Sequence, residues 1–369
     1  MKTKAAVLRE LGQGVEILEL ELHPPGAGEV LVKWAAAGLC HSDLHAMDGG
    51  LPTRLPIILG HEGAGVIEQV GEGVLHLVPG DHVVASFLPA CGRCRWCASG
   101  HSNLCNDGAN LMVGSQPNGE FRATMADGTP VGQICMLGTF AERTVVPQQS
   151  VVKIDDWLPL DKAALVGCGV TTGFGAAVHT ANVRVGDAVV IFGAGGLGVN
   201  AVQGAVHAGA RYVVAIDPEP RKLEWAKQFG ATHTFASFAD ALPAVQELTW
   251  GEGADKAIIL IGESDAAVTL QALEITGKRG EIVLVSIGKA GELTVALPGG
   301  ALTMAEKSIK GCLFGSANPQ YDIPRLLRMY NEGQYMLDEL ITRTYSLEEV
   351  NNGYEDLLNG SNLRGMILH

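Results

Sequence analysis

The stretch from Ala188 to Asp217, AVVIFGAGGLGVNAVQGAVHAGARYVVAID, restricts the chain to very few folds. The apolar run 188–192 has the length of a buried strand. Gly193, Gly195 and Gly198 follow at G-x-G-x-x-G spacing, an alanine- and valine-rich helix runs to about residue 210, and a second apolar run, 212–216, ends at Asp217. Each glycine has a mechanical purpose. The first permits a tight turn, the second lets backbone approach a pyrophosphate, and the third lets helix and strand pack closely. Gly196 and Leu197 open the helix, where unpaired N–H groups and a partial positive charge favour phosphate. Asp217 stands 19 residues beyond Gly198, close to the spacing of a ribose-binding carboxylate. An ordinary βαβ turn without a ligand can share the glycines, but not the whole series of strand, glycines, helix, strand and acid. A carboxylate at 217 repels a 2′-phosphate, and the next residue is Pro218 rather than arginine, so the pattern favours NAD over NADP.

At 369 residues the chain exceeds one compact domain. Strands are expected near 188–192, 212–216, 232–235, 256–261, 281–287 and 309–314, with helices near 221–229, 240–249 and 266–276 between them. Six strands with right-handed crossovers predict a doubly wound parallel sheet. The first 36 residues instead alternate like antiparallel strands around the turn Pro24-Pro25-Gly26, and strand character recurs at 66–70, 82–85, 143–146 and 150–154. Residues 107–138 form a long excursion or short hairpins, with Cys135 as a core thiol. A helix is expected over 174–183, with Thr171 and Thr172 at its start. Beyond 314, helices near 322–331 and 347–358 precede a last strand, 364–368, that returns to the first domain.

A net charge of −14 argues against nucleic acid or an anionic membrane as partner. Charged residues are 18% of the chain and mean hydropathy is +0.19, values that fit sizeable cores. The N-terminus lacks a signal-peptide apolar core, and no apolar run of about 18 residues is free of charges and glycines, so a cytoplasmic location is expected. In that setting eight cysteines point to metal or catalysis before disulfides.

Cys91, Cys94, Cys97 and Cys105 have the spacing of a closed tetrahedral zinc site, which is structural rather than catalytic. A pair of disulfides is the alternative. Gly38-Leu39-Cys40-His41-Ser42-Asp43-Leu44-His45 crowds thiol, hydroxyl and imidazoles together, a pattern shared by metal sites and by a buried cysteine with surface histidines. Gly60-His61-Glu62-Gly63 adds an imidazole and a carboxylate among small neighbours that let a metal approach. Cys168, between Gly167 and Gly169, by itself reads more readily as a small core thiol than as a ligand.

Taken in order, the Cys40 segment, GHE-x-x-G, the four-cysteine lobe, Gly-Cys-Gly and the glycine-rich turn resemble the zinc-dependent alcohol dehydrogenases of the medium-chain dehydrogenase/reductase family, over essentially the whole chain. The resemblance implies an α/β protein: a mostly-β GroES-like catalytic domain, residues 1–169 and 314–369 with a zinc lobe at about 91–105, and a Rossmann domain, residues 170–313. It implies that Cys40, His61 and Cys168 hold a catalytic zinc, a Cys2His donor set already established for alcohol dehydrogenases. Cys91, Cys94, Cys97 and Cys105 hold a structural zinc. Glu62 is the carboxylate beside the metal, Ser42 and His45 carry the proton relay, and Phe87 is a pocket wall. NAD(H) is met by His41, Thr172, Gly193, Gly195, Gly196, Leu197, Gly198, Asp217, Lys222 and Arg364, with His41 and Arg364 against the pyrophosphate and Thr172 beside the nicotinamide.

The implied reaction is hydride transfer between a primary alcohol or aldehyde and NAD(H), with zinc acidifying the alcohol oxygen. MKTKAAVL, the long loop and LVGCGVTTG also resemble the actinobacterial nicotinoprotein branch, which keeps NAD(H) bound and recycles it with an external acceptor such as nitrosodimethylaniline. A dehydrogenase of thiol adducts of formaldehyde is the rival within the family. A non-catalytic NAD-binding module is the rival from another class; it requires loss of a ligand or relay residue, and none of Cys40, His61, Cys168, Ser42 or His45 is missing. The family resemblance further implies a homodimer or homotetramer joined at the Rossmann sheet edge, with 290–297 and 309–314 as the segments able to supply it.

Overall fold

The computed structural model describes residues 1–262, 264–286 and 295–369. The chain forms two units, one of residues 1–168 and 318–369, the other of residues 169–317. The second crossing therefore falls four residues past the expected 313/314. Its cause is the turn Phe314–Ser316, which packs inside the second unit. There a Cβ on Gly175 would collide with the Gly315 carbonyl, and the Ser316 and Thr180 hydroxyls lie 2.8 Å apart.

The first unit is mostly β. Strands Lys2–Leu8, Glu16–Leu22, Ala123–Thr124, Pro130–Gln133 and Ile57–Ile58 close a small barrel. The excursion 107–138 thus contributes a hairpin to the barrel wall. A second sheet is built around Glu29–Gly38, which pairs antiparallel with Glu62–Val70 on one side and with Arg143–Pro147 and Arg364–Leu368 on the other. Trp34 and Phe140 are fully buried in its core, and each such side chain contributes roughly 1.5–3 kcal/mol.

The second unit is a six-stranded parallel sheet. Its order is His233–Phe235, Tyr212–Ile216, Ala188–Phe192, Ala254–Ile259, Thr276–Leu284, Ser308–Gly311. That is the doubly wound order of dinucleotide-binding folds, with the change of direction between the strands 188–192 and 254–259. Ala188–Phe192 is buried along its whole length, which is why it reads as an unbroken apolar run. The helix expected over 174–183 starts earlier, as Gly169–Gly175 continuing through a π-turn, Ala176–Thr180, so Thr171 and Thr172 lie inside it rather than at its start. Of the two edge segments, 290–297 falls largely on residues outside those described. The other, Ser308–Gly311, is the terminal strand of the sheet among the described residues. No single described helix is long and apolar enough to cross a membrane.

Candidate metal and nucleotide sites

Two groups of metal-binding side chains assemble in the first unit. In Cys91, Cys94, Cys97 and Cys105, the Cys91–Cys97 and Cys94–Cys105 sulfurs are each 4.0 Å apart. A tetrahedral zinc with sulfurs at ~2.3 Å separates them by about 3.8 Å, so the lobe is already near its metal-bound dimensions. Backbone N–H groups of Cys97 and Asn106 draw the Cys94 thiol down to about 6, while burial pushes Cys105 up. None of the eight cysteines is in a disulfide.

The second group is Cys40, His61, Glu62 and Cys168. All four are buried, and their ligand atoms lie within 4.8 Å of one another. The donors come from three places in the fold: Cys40 caps the helix His41–Met47, His61 immediately precedes and Glu62 opens the strand Glu62–Val70, and Cys168 follows the helix Leu160–Val166. Glycines make the approach possible. Gly60 has φ +87°, and a Cβ there would stand 2.6 Å from Phe140 N and from Thr139 Oγ1. Thr139 brackets His61, giving its N–H to the Gly60 carbonyl at 2.8 Å and its hydroxyl to the Glu62 carbonyl at 3.0 Å. A Cβ on Gly38 would collide with the Glu62 carboxylate, which is ion-paired with buried Arg364.

Each of the four groups is shifted from its ordinary range by its neighbours. The contact with Cys168 drives Cys40 well below the ordinary thiol range, and the same contact drives Cys168 well above it. Burial pulls the His61 imidazole down, but Asp43 and the two sulfurs outweigh it and carry it well above its usual value. Burial raises Glu62 to about 7 against the pull of Arg364. His61 Nε2 is buried without a hydrogen-bond partner among the described residues. Two thiolates and one neutral imidazole suit zinc, balance its charge and leave one coordination position for a substrate.

Ser42 Oγ lies 3.7 Å from Cys40 Sγ. His45 is one turn further along the same helix face, with Nδ1 3.9 Å from Asp48 Oδ2, and Ser42 and His45 are not bonded to each other. His41 is exposed at the start of that helix. Phe87 stands edge-on to His61, with ring centres 6.0 Å apart.

In the second unit Gly193 has φ +94°, and a Cβ there would stand 2.8 Å from the Leu260 carbonyl oxygen of the neighbouring strand's end. A Cβ on Gly198 would collide with the Gly193 carbonyl, whereas one on Gly195 would meet nothing within 4 Å. The second glycine therefore leaves the space a pyrophosphate needs, above the N-terminus of the helix Gly196–His207. Buried Asp217 accepts from Ala194 N–H at 2.9 Å and Glu219 N–H at 3.0 Å, and Lys222 Nζ lies 3.9 Å away. Thr172 is buried with its hydroxyl unpartnered among the described residues. Gly198→Ala is expected to lower stability by ~1–3 kcal/mol through overpacking and to reduce nucleotide retention; thermal unfolding and the nucleotide content of the purified variant check it.

Residues 26–156 match the alcohol dehydrogenase GroES-like domain, and residues 196–332 match the zinc-binding dehydrogenase domain. The chain is 57% identical to the NDMA-dependent alcohol dehydrogenase of Amycolatopsis methanolica, covering 100% of this chain and 99% of that one. The chain belongs to the zinc-dependent alcohol dehydrogenases. It is 37% identical to an S-(hydroxymethyl)glutathione dehydrogenase of Paracoccus denitrificans, over the full length of both. The crystal structure of benzyl alcohol dehydrogenase from Acinetobacter calcoaceticus superposes with a TM-score of 0.93 at 31% identity, covering 100% and 99% of the two chains. This alcohol dehydrogenase is therefore an oxidoreductase acting on small alcohols or aldehydes, with zinc and a nicotinamide nucleotide as its cofactors.

Two features of the alcohol dehydrogenase site escape the motif reading. Asp43, fully buried, accepts Gly60 N–H at 3.0 Å and places Oδ2 3.1 Å from His61 Nδ1. Its signal was present: a metal-binding histidine needs a carboxylate or carbonyl on its far nitrogen, and Asp43 lies within the Cys40 segment. Arg364, expected against a pyrophosphate, is committed in this structure to Glu62 and to the Leu39 carbonyl at 3.1 Å, with Nε unpartnered among the described residues. Glu62 and Arg364 are 302 residues apart, so no local pattern announces the pair.

Proposed function

We propose that this alcohol dehydrogenase keeps NAD(H) bound through turnover and restores its oxidation state with an external acceptor while interconverting a primary alcohol and its aldehyde. The observation that carries this reading is the 57% identity, sustained along the whole chain, with a relative named for its dependence on NDMA. The thiol-adduct dehydrogenase relative stands at 37%.

In this reading Cys40, His61 and Cys168 hold the catalytic zinc, and the four cysteines between 91 and 105 hold the structural one. Zinc supplies a Lewis acid for the alcohol oxygen, and NAD(H) supplies the hydride acceptor or donor. The remaining work falls to the chain. Asp43 fixes the His61 ring with Nε2 turned to the sulfurs. Ser42, beside Cys40, takes the proton from the substrate hydroxyl, and His45 passes it to solvent through an intervening group, since Ser42 and His45 are not bonded directly. Phe87 lines an apolar wall next to His61. Gly193, Gly195, Gly196, Leu197 and Gly198 cradle the pyrophosphate, Asp217 binds ribose hydroxyls, and Lys222 stands beside it.

The test is to purify the protein without added nucleotide, denature it and measure what is released. Stoichiometric NAD(H), with alcohol-driven reduction of nitrosodimethylaniline and no added NAD, is the expected result. Protein that emerges without nucleotide and turns over only with free NAD overturns permanent binding. Oxidation of formaldehyde only in the presence of glutathione moves the substrate to thiol adducts.

A further inference from the structure

The segment Gly60-His61-Glu62-Gly63 is folded around a single threonine. Thr139 is fully buried. Its backbone N–H donates to the Gly60 carbonyl at 2.8 Å, and its hydroxyl donates to the Glu62 carbonyl at 3.0 Å. Its own carbonyl lies 2.9 Å from His369 Nε2, whose N–H is the donor there, since a carbonyl only accepts. The two glycines admit the threonine from opposite ends of the segment. A Cβ on Gly60 would stand 2.6 Å from Thr139 Oγ1, and one on Gly63 would stand 2.7 Å from Thr139 Cγ2. The hydroxyl thus fits beside the first glycine and the methyl beside the second, and a β-branched side chain held at both branches is fixed at χ1. Asp43 grips the same segment through other atoms, accepting Gly60 N–H at 3.0 Å and standing 3.1 Å from His61 Nδ1.

We propose that Thr139 is a positioning residue for the catalytic metal: its two hydrogen bonds fix both ends of the segment that presents His61 and Glu62. The inference rests on His61 being a zinc ligand. Asp43 sets the orientation of the imidazole ring, whereas Thr139 sets the place of the backbone that carries it. Gly60, at φ +87°, has the conformational freedom that would otherwise let that backbone drift. Metal–ligand distances tolerate only about 0.2 Å of error, so drift at Gly60 weakens metal binding. Thr139 supplies no donor of its own, and its effect passes through the Gly60 and Glu62 carbonyls.

The experiment compares zinc release from purified holoenzyme to a chromogenic chelator for the parent, Thr139→Val, Thr139→Ser and Thr139→Ala. Threonine against valine, and serine against alanine, each isolate the hydroxyl. Outer partners of metal ligands typically change affinity by 10–100-fold. Thr139→Val keeps the shape of the side chain and is expected to release the catalytic zinc about 10-fold faster, at the low end of that range because the effect is relayed by backbone. Thr139→Ser keeps the hydroxyl and should release it near the parental rate, although loss of a buried methyl lowers its melting temperature. Thr139→Ala should again be about 10-fold faster than Thr139→Ser. The lobe zinc should leave at the parental rate throughout, and the visible spectrum of the cobalt-substituted enzyme should shift only in the two variants without a hydroxyl. Parental release from Thr139→Val, or release rates that follow melting temperature rather than the hydroxyl, overturns the proposal. If Thr139→Val is not recovered as holoenzyme, the serine and alanine variants decide by the same criterion. His61→Ala is the control for the underlying assignment: a variant that keeps both zinc ions refutes the ligand set itself, whereas one that loses a single ion leaves the Thr139 result decisive.

Discussion

Replacing Cys168 with serine is expected to lower alcohol oxidation on the order of 10³-fold or more, because the Lewis acid it helps hold is worth several kcal/mol of transition-state stabilisation. Bound zinc should fall by one of the two ions that the two donor groups can hold. The Cys168 sulfur is buried, within 4.8 Å of the Cys40 sulfur and a ligand atom of His61. A serine hydroxyl is close in shape but stays protonated and is a poor partner for zinc. The thermal transition should stay near that of the parent, since the substitution leaves the packing in place. Metal analysis beside steady-state rates checks both halves. A variant with full zinc content and an ordinary rate would remove Cys168 from the ligand set.

Cys97→Ser should show the opposite division. Within 91–105 Cys105 is the only buried apolar side chain, and the regular structure amounts to the short helix Arg95–Ala98 and one turn of 3-10 helix. So small a segment cannot order itself by burial, and metal binding supplies its folding free energy. If ~3–5 kcal/mol of that is transmitted to the first unit, the melting temperature falls on the order of 10 °C. Activity measured at low temperature on freshly prepared variant should be largely retained. Differential scanning calorimetry with a parallel assay separates the two readouts. An unchanged transition with the lobe zinc absent would show that the lobe is ordered by other means.

These predictions rest on features legible in the sequence to different degrees. The Rossmann unit announces itself because backbone sterics dictate its glycines: Gly193 needs a positive φ, and Gly198 cannot carry a Cβ beside the Gly193 carbonyl. The four-cysteine lobe is legible because all its donors lie within one short segment. The second donor set is harder to see. Cys168 lies 128 residues from Cys40, and on its own it reads as a core thiol. Order along the chain and resemblance, not spacing, single it out, and the structure then brings it to Cys40 and His61. The Arg364–Glu62 pair stays hidden because it joins residues 302 apart, whereas Asp43 lies in the Cys40 segment and needs only its His61 contact to be read. The early start of the helix at Gly169 was hidden for a different reason: Gly-Cys-Gly has the composition of a turn, and burial of the whole segment overrides that local preference.

The most direct measurement is anomalous scattering at the zinc edge from crystals of the protein as purified. Two peaks per chain are expected. One should lie among the four lobe sulfurs. The other should be within bonding distance of Cys40 Sγ, His61 Nε2 and Cys168 Sγ, with Glu62 still on Arg364 and the fourth position left to water or substrate. No density at the second place, or an ion closed off by a fourth protein side chain in every state of the enzyme, would contradict the account.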